Sequence, residues 1–485
     1  MKLLAFTFLV ACGSTTTTKK VEPQSKPEPL PPGEDVTAQV VEMNSSKNAR
    51  PPTEFRPGNV TPIALPKIAL DKNGYQVAFA SHSPITTPAV YGKEIVVSGG
   101  FSSRELYAFE TGTGKPMWAL DLGDDGPSSP ACEDGVCVVS TESCTIFAIE
   151  AATGKPLWSK YLGDPLTSTP AVAGQRVFTS YPATGPAGAN HVLAAFDLHG
   201  GKILWQLWLD SDVMSAPVAI GNYVYATTFA GTVVKVDQAT GAVKYASRTK
   251  ATSAPVVQLA KDGSEQLYFT RRADDEKAGA EEMIVRAGAW ASERRKADYI
   301  DHAAQAASAY STASQQHDAA NGFGGGAPAS AAGSIAWGNV AVQSVSSMQA
   351  FQGSRLVHWG ESNINTMGDE VISTDSETGA KKWSYKLAGD TKAQGGFLGT
   401  APAAVGDGVV FGTLAGNVVR LDGKTGKEKN SYAVGAPIRS QVVTDAGWIY
   451  VGTEDGKLVA IDTHDPAVTG WSTWGGNAQR TGIAR

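Results

Sequence analysis

Residues 148–158 read AIEAATGKPLW, and copies of this motif recur along the chain and indicate its architecture. Each clear copy has an acidic residue at its second or third position, a glycine about four positions later and an aromatic residue at its end. The other clear copies are residues 108–118, 195–205 and 236–245, and weaker ones are residues 373–383, 420–430 and 460–471. A repeat period near 40 residues indicates a propeller, a solenoid or another repeat array.

Each repeat also has an upstream half, such as residues 87–90, which read TPAV and precede the β-branched run IVV at 95–97. Short β-branched runs separated by glycine-containing turns are typical of strands and hairpins. One repeat therefore predicts four strands, named A to D here, with the acidic residue ending strand C and the aromatic residue in strand D. Such sheets repeated around an axis are propeller blades. We predict an all-β fold, an eight-bladed β-propeller of four-stranded antiparallel blades.

The blade count depends on the long gap between the acidic residues Asp237 and Asp375. Residues 265–270 and 283–287 fit strands B and C of one further blade, which gives eight blades. If residues 267–290 belong to no blade, the count is seven. Residues 291–328 are rich in alanine, glutamine, serine and charged residues, and this composition predicts a helical insertion. Residues 73–79 predict a separate strand D that completes the last blade and closes the ring.

The repeated aromatic and acidic residues have a structural interpretation. Aromatic side chains bury large areas, so one per repeat predicts a peg that packs each blade against its neighbour. The predicted blade-packing residues are Trp118, Trp158, Trp205, Tyr245 and Trp383. The acidic residues are expected to accept backbone N–H bonds in their turns. We predict no catalytic residues, because no nucleophile, base and orienting acid recur at an interpretable spacing.

The N-terminal residues predict where in the cell the protein is located. Residues 1–11 have a lysine followed by an apolar run, as signal peptides do, and residues 9–12 read LVAC, the form of a lipobox. In a bacterial protein this pattern predicts cleavage before Cys12 and a lipid anchor on its thiol, at the periplasmic face of the outer membrane. Residues 12–66 are rich in proline, threonine and charge and predict a tether, and residues 67–485 form the propeller. No other segment has 18 consecutive apolar residues, so no transmembrane helix is expected.

Three cysteines fall in one repeat. Cys132 and Cys137 flank an Asp-Gly turn, where opposed residues of a hairpin are close enough for a disulfide. Buried free thiols are the alternative. Cys144 is then left over at a turn, and no metal site is expected because no histidine is near. The net charge of −6 and the pI near 5.7 argue against a nucleic-acid partner.

The repeat at 148–158 and the closing stretch WGGNAQRTG at 474–482 resemble the pyrroloquinoline-quinone-like β-propeller repeat family, including its lipoproteins of the β-barrel assembly machinery. The resemblance covers about residues 75–480 outside the insertion. It implies a non-enzymatic scaffold without a cofactor, which binds a protein of the outer-membrane assembly machinery. Two alternatives remain. Quinoprotein dehydrogenases share the ring and use pyrroloquinoline quinone, calcium and a catalytic Asp, typically with two adjacent cysteines. A generic cell-envelope interaction module would instead dock through the insertion.

Overall fold

The structure is a computed structural model that describes part of the chain. The described residues are 33–45, 53–54, 59–100, 103–141, 145–162, 169–186, 188–249, 251, 253–259, 265–272, 281–287, 291–295, 356–376, 380–390 and 398–484. Within them the strands form eight sheets, each built on four neighbouring antiparallel strands. The predicted all-β propeller of four-stranded blades is confirmed.

The blades are numbered here in chain order, with strand A innermost and strand D at the rim. Blade 1 comprises Ala89–Tyr91, Glu94–Ser98, Glu105–Glu110 and Pro116–Asp121, and blade 2 comprises Ala131–Glu133, Val136–Ser140, Thr145–Glu150 and Pro156–Tyr161. Blade 3 comprises Ala171–Ala173, Arg176–Pro182, His191–Asp197 and Ile203–Leu209. Blade 4 comprises Val218–Ile220, Tyr223–Thr227, Thr232–Asp237 and Val243–Arg248.

The remaining blades continue the ring. Blade 5 comprises Val256–Leu259, Glu265–Arg272, Glu281–Ala287 and Ala291–Arg295, and blade 6 comprises Val357–Trp359, Ser362–Met367, Glu370–Asp375 and Lys381–Lys386. Blade 7 comprises Ala403–Val405, Gly408–Gly412, Asn417–Asp422 and Glu428–Ala433. Blade 8 comprises Val443–Asp445, Trp448–Gly452, Lys457–Asp462 and Gly74–Ala78. The last strand comes from the N-terminal side and pairs antiparallel with Lys457–Asp462, so the predicted ring closure is observed.

One expectation about the insertion is wrong at its start. Ala291–Arg295 is strand D of blade 5 and pairs antiparallel with Glu281–Ala287, whereas the composition predicts a helix from residue 291. The composition favours a helix locally, but pairing with an open sheet edge decides the conformation here. Residues 296–328 lie outside the described residues.

The hydrophobic core is divided among the contacts between neighbouring blades. One cluster of fully buried residues joins blades 2 and 3, another joins blades 3 and 4, and a third joins blades 8 and 1. Blades 5 and 6 meet where the rings of Tyr268 and His358 stack with centroids 5.5 Å apart. The ring is therefore held by interfaces between sheets, as expected for an array of repeats.

The predicted pegs lie in these interfaces. Trp118, Trp158, Trp205 and Trp383 each donate an indole N–H to a carbonyl of the next blade, with distances of 2.7 to 2.9 Å. Tyr245 is half-buried in strand D of blade 4. The acidic residues cap their turns: Asp237 accepts bonds from the backbone and hydroxyl of Thr240, which lower the pKa of its carboxyl.

Part of the predicted tether packs on the propeller, so the prediction of an unpacked segment is wrong there. Glu34–Asp35, Thr53–Glu54 and Thr61–Pro62 of the predicted tether add short strands to the rims of blades 4, 2 and 1, and Ile68–Asp71, which follows the tether, does the same at blade 8. The helix Thr37–Met43 lies between the first two of these strands. Backbone groups on open sheet edges favour such pairing whatever the composition of the added segment. Cys12 and the rest of residues 1–32 lie outside the described residues. The described part of the chain contains no apolar helix of membrane-spanning length.

Candidate interaction surface

The two ends of the ring differ, and the difference comes from the C-terminal segment. Residues 467–484, called the plug here, run across the end that carries the A–B and C–D turns. Plug carbonyls accept backbone N–H bonds from the inner strands of blades 1, 3, 4, 6 and 8 and from the residue after the inner strand of blade 7. The donors are Val90, Val172, Ala219, His358, Thr444 and Gly406, at 2.7 to 3.2 Å. The hydroxyl of Thr473 donates to the carbonyl of Pro130, beside strand A of blade 2. Ile483 packs against the hydrophobic cluster that contains Val256 and Tyr268 of blade 5. The plug thus contacts all eight blades.

Arg480 holds the centre of the plug and is fully buried, with 0% of its surface exposed. Its guanidinium donates to the carbonyls of Pro170 at 3.0 Å, Ser129 at 2.9 Å and Trp474 at 2.7 Å. A fourth bond, at 3.2 Å, reaches the hydroxyl of Thr473. Burying a cation is costly unless its donors are satisfied, and these four bonds use most of the five guanidinium N–H donors. One side chain therefore ties blades 2 and 3 to the plug.

The opposite end of the ring carries the B–C loops and the D–A connections between blades, and is called the loop face here. In the described parts of this face, hydroxyl-to-carboxylate bonds join a loop to a neighbouring connection at two places. Thr141 donates to Asp124 at 2.9 Å and Thr232 donates to Asp210 at 2.6 Å. Arg439 forms an ion pair with Glu454 across the connection into blade 8. A surface held in one arrangement avoids the entropic cost of ordering loops on binding.

A histidine on the loop face has a shifted pKa. Burial lowers the pKa of His191, and the nearby carboxylates of Asp212 and Asp210 counteract this only in part. Asp212 is itself buried and accepts bonds from the hydroxyl of Ser180 at 3.0 Å and the backbone N–H of Val213 at 2.7 Å. Among the described residues no group of three or more histidine, cysteine, aspartate or glutamate side chains is arranged to hold a metal ion. Where the structure describes it, the loop face thus carries hydroxyl and carboxylate side chains that are hydrogen-bonded between loops.

The residues singled out in the sequence are mostly elsewhere. Cys132 and Cys137 face each other in the A–B hairpin of blade 2, at the plug end, and are joined by a disulfide. The tryptophan pegs also lie near the plug end, each close to a C–D turn. Cys12, Cys144 and residues 296–328 lie outside the described residues. The plug was not predicted, although its sequence WGGNAQRTG was visible as a stretch outside the repeat pattern.

Comparison with known families decides the classification. The family model described as "Outer membrane protein assembly factor BamB" matches residues 102–210, 183–277 and 329–473, more than half of the chain. The chain belongs to this family. The BamB family assignment agrees with the resemblance inferred from the repeats, and the matched ranges span blades 1 to 8 around most of the ring.

Solved structures share the fold at low sequence identity. BamB from Moraxella catarrhalis is 14% identical, with 83% of this chain and 97% of that chain covered and a TM-score of 0.52. Quinohemoprotein alcohol dehydrogenase from Comamonas testosteroni is 13% identical, with 82% and 77% covered and a TM-score of 0.52. Sqt1 from Saccharomyces cerevisiae is 10% identical, with 81% and 97% covered and a TM-score of 0.53. These likenesses show the fold alone. No curated protein sequence matches the chain.

The cysteine pair does not fit the quinoprotein pattern of adjacent cysteines beside the quinone. Cys132 and Cys137 are five positions apart, and Cys137 is 1% exposed. Both cysteines belong to a hydrophobic cluster with Val96 and Tyr91 of blade 1. The disulfide therefore fills a contact between two blades. These two cysteines do not form the adjacent pair beside a quinone that the quinone-dependent alternative requires.

Proposed function

We propose that this protein is a non-enzymatic scaffold that binds a protein partner of the outer-membrane β-barrel assembly machinery through its loop face. The observation that carries the proposal is the match of the BamB family model to residues 102–210, 183–277 and 329–473 of the ring. The preorganised loops support the choice of surface, because the plug covers the other end. A scaffold needs only such a rigid, accessible surface, and a propeller fold by itself implies no chemistry.

Arginine substitutions at exposed alanine and threonine positions test the surface. Thr184 and Ala415 are exposed in the B–C loops of blades 3 and 7. Ala152 and Ala239 are exposed in C–D turns at the plug end and serve as matched controls. We expect Thr184→Arg and Ala415→Arg to weaken binding of the periplasmic repeats of the barrel-inserting protein at least tenfold by calorimetry. A bulky charge desolvated at an interface disrupts packing there.

The controls decide between surfaces. Ala152→Arg and Ala239→Arg are expected to bind within twofold of the unchanged protein. Equal binding by all four variants, or weakening by the controls alone, would refute the loop face as the binding surface. Deleting residues 296–328 tests the generic-module alternative, since loss of binding in that deletion alone would favour docking through the insertion.

We further propose that Cys12 carries the lipid anchor at the periplasmic face of the outer membrane. Several acyl chains on one residue supply stable attachment, at about 0.8 kcal/mol for each buried methylene. A Cys12→Ser variant expressed with residues 1–11 should move from the washed outer-membrane fraction to the soluble periplasmic fraction. Retention in the membrane fraction after salt and carbonate washes would contradict the anchor.

A further inference from the structure

The rims of blades 3 and 4 together form a groove that is filled by residues 33–45 of the same chain. Val36 and Val40 are 2% and 8% exposed and belong to the hydrophobic cluster of these two blades, with Leu207 and Leu209. The next residue, Val41, is 49% exposed. The segment thus buries one face only, as an amphipathic peptide does in a binding groove.

Two side chains of the segment act as substitutes for a neighbouring strand. The hydroxyl of Thr37 accepts the N–H of Ala246 at 2.9 Å and donates to the carbonyl of the same residue at 3.2 Å. The amide of Asn44 accepts the N–H of Trp208 at 2.6 Å and donates to its carbonyl at 3.2 Å. Ala246 is in the rim strand of blade 4, and Trp208 is in that of blade 3. In each rim strand one side chain therefore bonds both the outward N–H and the outward C=O of one residue, and the backbone N–H of Val36 also donates to the Ala246 carbonyl at 3.0 Å.

The start of the segment is fitted as closely. Glu34–Asp35 pairs antiparallel with the rim strand of blade 4, opposite Arg248 and Ser247. A Cβ at Gly33 would lie 2.6 Å from the side chain of Thr249 and 2.8 Å from the carbonyl of Arg248, so only glycine fits there. Thr37, Val40 and Asn44 then follow at spacings of three and four, which place them on one side of a helical segment.

We propose that this groove is a peptide-binding site and that residues 33–45 are its resident ligand. The ligand class is a short segment that enters as an extended pair after glycine, continues as a helical turn, and presents threonine, valine and asparagine at the spacing of Thr37, Val40 and Asn44. The site also fixes the point at which the N-terminal segment of the proposed lipid-anchored scaffold leaves the propeller. This consequence rests on the proposed function. Residues 13–32 are then the spacer to Cys12, with a maximum reach of about 70 Å.

Binding in trans tests the site without depending on the anchor or the partner. The full-length Val36→Asp/Val40→Asp variant, checked by circular dichroism, receives a fluorescent peptide of residues 33–45. We expect saturable binding by anisotropy to this variant, and at least tenfold weaker binding to the unchanged protein. In the unchanged protein, residues 33–45 of the same chain compete with the added peptide at a high effective concentration.

Matched peptides establish specificity. A peptide with Val41→Asp should bind like the unchanged peptide, whereas one with Val40→Asp should bind at least tenfold more weakly. Absence of binding to the folded variant, or equal binding of the two substituted peptides, would overturn the proposal.

A second protein variant, Thr37→Val/Asn44→Leu, keeps the apolar contacts of the segment and removes its side-chain hydrogen bonds. We expect faster hydrogen exchange at the amides of Ala246 and Trp208 in this variant, and unchanged exchange would also overturn the proposal. Partner capture is scored separately, so either proposal can fail alone.

Discussion

The indole of Trp158 in blade 2 lies directly on Gly201 in the C–D turn of blade 3. A Cβ at residue 201 would come within 2.6 Å of the ring, and the indole N–H donates to the carbonyl of Leu198 in the same turn at 2.7 Å. The same arrangement joins Trp118 to Gly154, Trp205 to Gly241 and Trp383 to Gly426. The glycine and the tryptophan of the repeat motif are therefore two halves of one contact between successive blades.

Gly201→Ala is expected to destabilise the protein by about 2 to 4 kcal/mol, because it adds a clash with Trp158 to the cost of a left-handed backbone. Gly201 has a φ of 65°, and Gly360 has a φ of 57° but open space around it, since a Cβ added there would meet no described atom within 4 Å. Gly360→Ala is therefore the control, with an expected cost of about 1 kcal/mol from the backbone alone. Urea unfolding measures both. Equal costs for the two variants would show that the indole contact adds nothing.

Arg480→Met is expected to destabilise the protein by at least about 3 kcal/mol, because it leaves the buried carbonyls of Pro170 and Ser129 without their donor. The control is Arg104→Met, since Arg104 is 53% exposed and paired with Asp121 at the surface. Such a surface pair contributes about 1 kcal/mol or less. Thermal and urea unfolding compare the two. Similar losses for both variants would contradict the role of Arg480 at the centre of the plug.

The blades could be predicted because their signal is local and repeated. Trp158 and Gly201 each stand in a copy of the same motif, and the strand Gly74–Ala78 was recognisable from its glycine turn. The plug and the rim segment could not be predicted in this way. Arg480 donates to a carbonyl 351 positions earlier, and Thr37 bonds a residue 209 positions later. Their partners are backbone groups, which every residue carries, so no sequence pattern marks the pairing.

The loop face was missed for a related reason. Its fixing contacts join Thr141 to Asp124 and Thr232 to Asp210, which are common surface residues in loops that the repeat motif does not cover. Ala291–Arg295 shows the converse error. There the local composition is typical of helices, while an open strand in the same blade imposes the sheet.

The double variant Cys132→Ala/Cys137→Ala is expected to lose about 2 kcal/mol of stability, because the disulfide closes a short loop of sequence separation 5 in the unfolded chain. The hairpin tip contributes further contacts: Glu133 accepts the N–H of Gln175 in blade 3 and an amide N–H of Gln479 in the plug, each at 3.0 Å. Non-reducing peptide mapping checks the bond and urea unfolding checks the cost. Recovery of both thiols in the free form from oxidised periplasm would contradict the disulfide.

His358 is expected to make stability fall with decreasing pH. It is 7% exposed, stacks on Tyr268, and has a pKa that burial lowers below the usual 6.5, although its hydrogen bond to Asn363 counteracts this. The unfolded chain therefore takes up the proton first. Stability is fully present above about pH 6.5 and is lost as the pH falls toward the folded pKa, by up to about 1.4 kcal/mol per pH unit. His358→Gln should flatten urea-unfolding free energies between pH 7.5 and 5.5. His464→Gln, at a side chain 76% exposed, should leave the slope unchanged, and equal slopes for both variants would refute the assignment.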